Sequence, residues 1–476
     1  MDVMRDRCRY AAGLRAHNRG TIGMLIIEWV RQGTILPEPS QLMKSAAPGR
    51  AACAIAACIL GACETERPER PEAEARNDAS VAFTGASIWD GTGSEIIEDA
   101  VLLVRDGRVA EIGTGVPPAG SKKVELDGMW IVPGFINSHG HVSGRWAQAD
   151  MRDVSQRAAA DLALYSHYGV TTVLSLGDEP REAFTLRDNQ NAPGLDRARI
   201  FLAGPVIADK DPHEAAARAA DNAIAGVDWL KLRVDDNLGT ADKMPWPSVD
   251  AVLAVGAETG IPVATHIFYY DDALRLLESG SSLIAHSVRD RDVDQAFIDA
   301  ILEAGVCYVP TLVREVSTFV YAERPAFFDD PFFLEAADRS EMARVSQPDY
   351  MAGAAASPLA AGYRRALKQA QRNLGILQAA GVPIAFGTDS GPPGRFPGYF
   401  EHMEFALMSE AGLSPEQILR SATSVAADCL GLEDAGTLEE GNRADFLVLE
   451  ANPLDDLAAT RTIRHVYIGG TEVRRK

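Results

Sequence analysis

The chain has 476 residues, 46% of them hydrophobic, and a formal net charge of −21. At roughly 150 residues per domain, that length allows up to three domains, or a long barrel with additions. So acidic a chain is a poor partner for phosphate backbones, which are held by Lys and Arg, and no nucleic-acid motif is present. The first residues, 1–62, do not read as fold. Lys44 and Arg50 precede a short apolar run, 51–62, followed by Cys63. A basic start, an apolar stretch of about 12 residues and small residues at its end describe a secretory signal. The run is shorter than the roughly 20 residues that span a bilayer. Residues 63–80 are rich in Glu, Arg, Pro and Ala without apolar periodicity, and read as a flexible tether. Only Cys307 and Cys429 follow Cys63. Two cysteines make no disulfide framework, and both are expected to be small buried apolar residues.

Over 81–132 short strands and turns alternate, and Asp106-Gly107 between two alternating runs predicts a tight hairpin. Residues 435–476 repeat this texture, so the two ends are expected to build one small β-sandwich. Between them, 133–434 alternates strand and helix, the signature of parallel βα units. Strands are predicted at 130–137, 170–177, 199–205, 228–234, 262–266, 282–286, 306–312 and 383–389, with helices such as 249–259, 271–279, 293–304 and 362–380. This pattern predicts an α/β fold of the (β/α)8 TIM-barrel type, whose chemistry sits at the C-terminal strand ends. The stretch 313–361 is long for a connection and carries Phe319, Tyr321, Phe327, Phe328, Phe332 and Phe333. Such length is usually functional, so a lid or substrate wall is expected; a helical insert on the barrel exterior is the alternative.

His139 and His141 form His-x-His at the end of the first barrel strand. Residues two apart in an extended segment point the same way, so both imidazoles can reach one metal. Lys231 lies in the fourth strand, His266 ends the fifth, His286 the sixth and Asp389 the eighth. Imidazole and carboxylate suit divalent first-row metals such as zinc. A single histidine is more often a satisfied polar group, but these six recur at the C-terminal halves of five strands. His167, His213 and His465 sit in polar or distal contexts.

The segments MWIVPGFINSHGHV (129–142), PIAFGTDSG (383–391), EAGLSPEQILRSATSVAA (410–427) and GTLEEGNRADFLVLEANPL (436–454) resemble the amidohydrolase superfamily. Within it they are similar to the branch of imidazolonepropionases and metal-dependent prolidase-type peptidases, and the resemblance runs over about residues 81–476. It implies two divalent metal ions, zinc first among them, with His139 and His141 on one and His266 and His286 on the other. It also implies that CO2 converts Lys231 to a bridging carbamate, and that Asp389 ligates metal and moves protons. The chemistry is coherent: an ammonium is no ligand, whereas a carbamate has two anionic oxygens. Ions about 3.5–4 Å apart acidify a bridging water and polarise the scissile carbonyl, and a carboxylate passes the proton to the leaving nitrogen. A lysine that merely snorkels from a barrel strand is the bland alternative for Lys231.

The implied reaction is hydrolysis of an amide-type C–N bond in a small peptide, an N-acyl amino acid or a cyclic amide. A deaminase or an ester or lactone hydrolase is the alternative on this scaffold. The partner is a small-molecule substrate, and a homo-oligomer is left open. Departures from the prolidase-like pattern fall in the loops: Ile267-Phe268-Tyr269-Tyr270 follows His266 in place of Ala-His-Gly, and Ala285-His286-Ser287 replaces Glu-His-Gly. They keep the ligands and argue against a plain dipeptide substrate. Substrate contacts are expected from Arg289, Arg314, Tyr269, Tyr270 and His402, with Arg395 nearby, arginine being well suited to a carboxylate. Each also has an ordinary structural reading. Leu60–Cys63 resembles a bacterial lipobox, which implies an acylated Cys63, a lipid anchor to a bacterial membrane and an exported enzyme at the periplasmic face. A cytoplasmic protein with an unused signal is the alternative.

Overall fold

The computed structural model describes residues 80–142 and 153–475; the expected leader, Cys63 and nearly all of the tether lie outside them. The described chain opens with β1 (Val81–Ile88), β2 (Ile97–Arg105), β3 (Arg108–Thr114), β4 (Lys122–Glu125) and β5 (Trp130–Pro133). Asp106 and Gly107 join β2 to β3 at φ 51° and 76°, the left-handed pair that a two-residue hairpin turn requires.

β6 (Phe135–Gly140) begins one residue after β5 ends. The sequence reading ran these together; the structure divides them at Gly134. Gly134 N–H still donates to the Asp445 carbonyl beside β13 at 2.9 Å, while a Cβ on Gly134 would lie 2.3 Å from the Thr171 side chain. The chain therefore changes sheets where only glycine fits.

Parallel pairing joins β6, β7 (Val170–Ser175) and β8 (Arg199–Leu202) in one sheet. A second parallel sheet holds β9 (Leu230–Arg233), β10 (Val263–His266), β11 (Leu283–Ala285) and β12 (Cys307–Val309). Isolated parallel bridges pair Ile207 with Leu232, Tyr308 with Ile384, and Gly140 with Ser390. The predicted strand 383–389 is thus extended chain bridged to its neighbours rather than a continuous strand. Pro383 lacks a donor, and Asp389 turns to φ 56°.

Helices α1 (Val154–His167), α2 (Glu182–Asp188), α3 (Pro212–Ala225), α4 (Trp246–Thr259), α5 (Tyr270–Glu278) and α6 (Gln295–Ala304) alternate with these strands. Their ends follow local chemistry. Asp211 caps α3 by accepting from the His213 and Glu214 N–H groups, and Gly226, Gly260 and Gly305 close α3, α4 and α6 in the left-handed region.

Beyond β12 come α7 (Leu312–Ser317), α8 (Pro331–Leu334), α9 (Arg339–Val345), α10 (Pro348–Ala355) and α11 (Ala360–Ala379). They are followed by α12 (Tyr399–Glu410), α13 (Pro415–Ser421) and α14 (Ser424–Leu430). The aromatic residues of the long segment mostly pack inward. Phe327 meets Tyr399 of α12 at 5.4 Å, and Phe333 meets Phe396 at 5.0 Å and Tyr399 at 4.9 Å. They join the main hydrophobic cluster together with Phe396 and Tyr399, and Phe319 alone of the six is only half-buried.

Cys307 at the start of β12 and Cys429 on α14 form a disulfide across a sequence separation of 122. This corrects the expectation of two independent buried residues; both are half-buried and bonded to each other. Spacing cannot reveal such a pair, because only the fold brings the two Cα atoms to 5.9 Å.

The chain returns through β13 (Phe446–Leu449), β14 (Ile463–Ile468) and β15 (Thr471–Glu472). β13 pairs antiparallel with β5, so both ends share one eight-stranded sheet ordered β15-β14-β13-β5-β1-β2-β3, with β4 also beside β1. One hydrophobic cluster on it holds Phe83, Ile131, Phe446 and Tyr467, with Phe83 edge-on to Phe446 at 5.0 Å and to Tyr467 at 4.8 Å. A buried ion pair between Asp445 and Arg199 of β8 ties this sheet to the parallel one.

Candidate metal centre

Two stretches of backbone position the first group of candidate ligands. His139 is the last residue but one of β6 with His141 just beyond, and the segment 387–391 (Gly-Thr-Asp-Ser-Gly) runs alongside. Asp389 N–H donates to the His139 carbonyl at 2.6 Å, and His141 N–H to the Ser390 carbonyl at 2.8 Å. The flanking glycines allow this approach. A Cβ on Gly387 would lie 2.9 Å from His139 Cβ, and one on Gly391 would lie 2.2 Å from the His141 carbonyl. His141 Nε2 then stands 2.8 Å from Asp389 Oδ1, with His139 Nε2 3.6 Å from the same oxygen. One donor atom from each of the three lies within 4.8 Å of the others.

The second group comes from β9, β10 and the end of β11. His286 Nε2 is 2.8 Å from His266 Nδ1, so both rings aim at one point. Their other nitrogens are held from behind: His286 Nδ1 by Thr311 Oγ1 at 2.7 Å, and His266 Nε2 by Asp235 at 3.1 Å. Partners of this kind fix ring orientation at metal sites. The His139 and His286 ring centroids are 4.6 Å apart, so the two groups adjoin. Lys231 is buried on β9, and its Nζ makes no hydrogen bond among the described residues. Burial lowers its pKa to about 7, and burial with the cationic Lys231 nearby depresses His139 well below the usual imidazole range. Burial likewise brings His266 down to about 3, against the pull of Asp235. His286, Thr311 and Asp389 hold φ at 74°, 48° and 56°. Such strain in residues other than glycine clusters at functional sites.

The four histidines and Asp389 therefore come together, Lys231 is buried on the strand beside that of His266, and His139, His141 and Asp389 form a group that could hold a cation. Residues 130–473 match the model of the amidohydrolase family. The chain belongs to the amidohydrolase family. It is 26% identical over 415 residues to an imidazolonepropionase of Deinococcus deserti, covering 79% of this chain and 92% of that one. Among solved structures, it is similar to a Xaa-Pro dipeptidase with bound methionine in the active site, with a TM-score of 0.66, 22% identity, and 83% and 100% of the two chains covered. It is also similar to phenylurea hydrolase B, with a TM-score of 0.66, 21% identity and 83% and 97% coverage.

Around these candidate ligands lies a further set of residues that the sequence pattern alone does not reveal. Glu401, fully buried on α12, accepts from Asn137 Nδ2 at 2.7 Å, Thr388 Oγ1 at 2.8 Å and Ser390 Oγ at 2.6 Å. It thereby clamps the two ligand-bearing segments together. Glu404, one helical turn on, accepts from the Leu312 and Val313 N–H groups at the start of α7, and burial pushes its pKa up to about 8. A signal was available: two carboxylates three apart in the otherwise apolar run YFEHMEFALM face one side of a helix.

The expected substrate residues divide. His402 does not join the cluster. Its Nε2 is 2.9 Å from the Tyr168 carbonyl, its Nδ1 is 3.3 Å from Thr460 Oγ1, and its ring is edge-on to Phe332 at 4.9 Å. One residue along a helix turns a side chain by about 100°, so Glu401 faces the centre while His402 pins α12 to the end of α1. Tyr270 is also packing: its hydroxyl donates to Asp294 at 2.7 Å and its ring lies 5.4 Å from Phe297. Tyr269 donates to Asp236 at 2.9 Å beneath Lys243 and lines a cavity shared with Arg289. Arg395 bonds to Asp389 Oδ2 and, at 3.1 Å, to Ser317. Arg314 has its Nε 3.8 Å from that same Asp389 oxygen and pairs with Glu315 at 3.0 Å.

Proposed function

We propose that this chain hydrolyses an amide-type C–N bond at a binuclear divalent-metal centre, zinc being the first candidate. The convergence of four imidazoles, Asp389 and a buried, unbonded Lys231 at adjoining points carries this reading. In the same reading the two parallel sheets and their bridges make up a (β/α)8 barrel over 133–434, and the eight-stranded sheet belongs to a β-sandwich. His139, His141 and Asp389 would hold one ion and His266 and His286 the other, and Lys231 would join them as a CO2-derived carbamate. That reaction needs an uncharged amine, which burial among histidines favours. When bound, the two ions supply Lewis acidity at the scissile carbonyl and a water acidic enough to attack near neutral pH.

The chain's own residues do the rest. Asp389 Oδ1 sits with the ligand histidines, while Oδ2 carries the proton from the attacking water to the leaving nitrogen. Arg395 and Arg314 keep that carboxylate ionised between turnovers. Thr311 and Asp235 hold the second pair of imidazoles in register. The test is metal dependence with product analysis across amide, lactone and amino-substituted substrates. Chelation is expected to abolish release of free amine from amides, and zinc or manganese to restore it. Unchanged activity in the metal-free protein would end the reading. Ammonia, or acid without amine, would move it to a deaminase or to an ester or lactone hydrolase.

Export fits this reading, because disulfides such as Cys307–Cys429 persist in oxidising compartments. An anchor at Cys63 would place the enzyme on the periplasmic face. Labelled palmitate is expected to enter the full chain expressed in a bacterium and to be lost in Cys63→Ser; equal labelling of both would remove the anchor.

A further inference from the structure

Thr311 stands at the N-cap of α7, where φ 48° and ψ 49° put it in the left-handed region. Threonine is favoured at an N-cap because its hydroxyl accepts an N–H of the first turn, usually from an extended backbone. Here the side chain caps nothing. Its hydroxyl lies 2.7 Å from His286 Nδ1 instead. The first N–H groups of a helix have no partner within it, and Leu312 and Val313 are fully buried, so their amides need acceptors. Glu404 supplies them from α12. Its Oε1 takes the Leu312 N–H at 2.7 Å and its Oε2 the Val313 N–H at 2.6 Å, short bonds of the kind an ionised carboxylate makes.

A carboxylate in the interior is costly, and a threonine already stands where its hydroxyl could satisfy one of these amides. The arrangement has a physical reason if that hydroxyl is needed elsewhere. The backbone around it is fixed separately. Ser287 Oγ donates to the Pro310 carbonyl at 3.0 Å, and the Val288 N–H donates to the Tyr308 hydroxyl at 2.7 Å. The chain after β11 is thereby stapled to β12 and its end, and the direction of the Thr311 hydroxyl is what remains to be set.

We propose that Glu404 is a positioning residue: by capping α7 from α12 it frees the Thr311 hydroxyl to hold the His286 ring against His266. That this ring receives an ion rests on the hydrolytic reading above; the exchange of caps does not. With Glu401 clamping the His139 and Asp389 segments from the same face, α12 serves both groups of candidate ligands. In Glu404→Gln the side chain accepts only one of the two N–H groups and turns its NH2 toward the other. The Thr311 hydroxyl is then expected to turn back to α7 and leave His286 Nδ1.

The test is a double-substitution cycle on zinc binding, using Glu404→Gln, Thr311→Val and the two combined. Zinc is titrated into each metal-free full chain and counted by elemental analysis. Wild type is expected to take up two ions. Thr311→Val is expected to weaken the second by about 10–100-fold, the usual loss when a partner of a ligating histidine is removed. Glu404→Gln should weaken it similarly and leave the first ion unchanged. The combined variant should be no worse than Thr311→Val, because both changes remove the same bond. Factors that multiply in the combined variant would overturn the proposal, as would wild-type affinity for the second ion in Glu404→Gln. Should Glu404→Gln fail to fold, Glu404→Asp, which keeps the charge but shortens the reach, completes the same cycle. Wild type holding no second ion would end the binuclear reading alone, and crystal structures of the metal-free proteins then decide Glu404. A Thr311 hydroxyl bonded to an α7 amide in the Glu404 variant upholds the proposal; one still against His286 Nδ1 overturns it.

Discussion

Asp389→Asn is expected to lower kcat by about 10²–10⁴-fold, the usual contribution of a positioned acid–base group, with KM little changed. The substitution is close to isosteric and keeps one oxygen for the ligand position beside His141, now 2.8 Å away. Asn tolerates the left-handed backbone better than most residues, so φ 56° survives. What disappears is the base. Burial by itself pushes the Asp389 carboxyl up, yet Arg395 and the paired histidines hold it far below the ordinary carboxylate range. The carboxylate form is therefore favoured, and a neutral amide has no capacity to take its proton. Kinetics accompanied by elemental analysis separates the possibilities. Near-normal turnover with a full metal complement would remove Asp389 from proton transfer, whereas metal loss in proportion to activity would reduce it to a ligand.

The legible parts of this molecule are those in which one residue's chemistry suffices. His139 and His141 share a direction because strand side chains alternate, and Asp106-Gly107 forms a hairpin because both positions tolerate positive φ. Less legible were the parts that depend on what a side chain faces. Glu401 and His402 are neighbours, yet one clamps the centre and the other packs among aromatic rings, and only the phase of α12 decides which. Asp235 and Thr311 read as unremarkable polar residues until the fold sets them behind His266 and His286. Tyr269 and Tyr270 part company at the start of α5 in the same way. The strand expected over 383–389 carries the right residues, but Pro383 and the turn at Asp389 leave it held only through bridges.

Removing the Cys307–Cys429 bond by a double Cys→Ala substitution is expected to cost about 4–5 kcal/mol if loop-closure entropy governs, as for a loop of roughly 100 residues or more. At about 2.1 cal/mol/K of unfolding entropy per residue, a unit of roughly 400 residues would lose about 5–6 °C in Tm. The bond ties the beginning of β12 to α14, where Ala426, Ala427 and Leu430 pack in one cluster with Val309 and Ala285. Beyond β12 the chain passes through Pro310 to Thr311, whose hydroxyl holds His286. The disulfide enters this strand at its start, at the opposite end from Thr311, and the packing around Val309 persists without it. Turnover well below the transition should therefore stay within about twofold, since that core, rather than the cross-link, sets the rotamers at the centre. Melting curves with and without reductant, paired with thiol counting, supply the measurement. An unchanged Tm on full reduction would show that the bond restrains little. A large loss of turnover at low temperature would instead make it part of the machinery that positions His286.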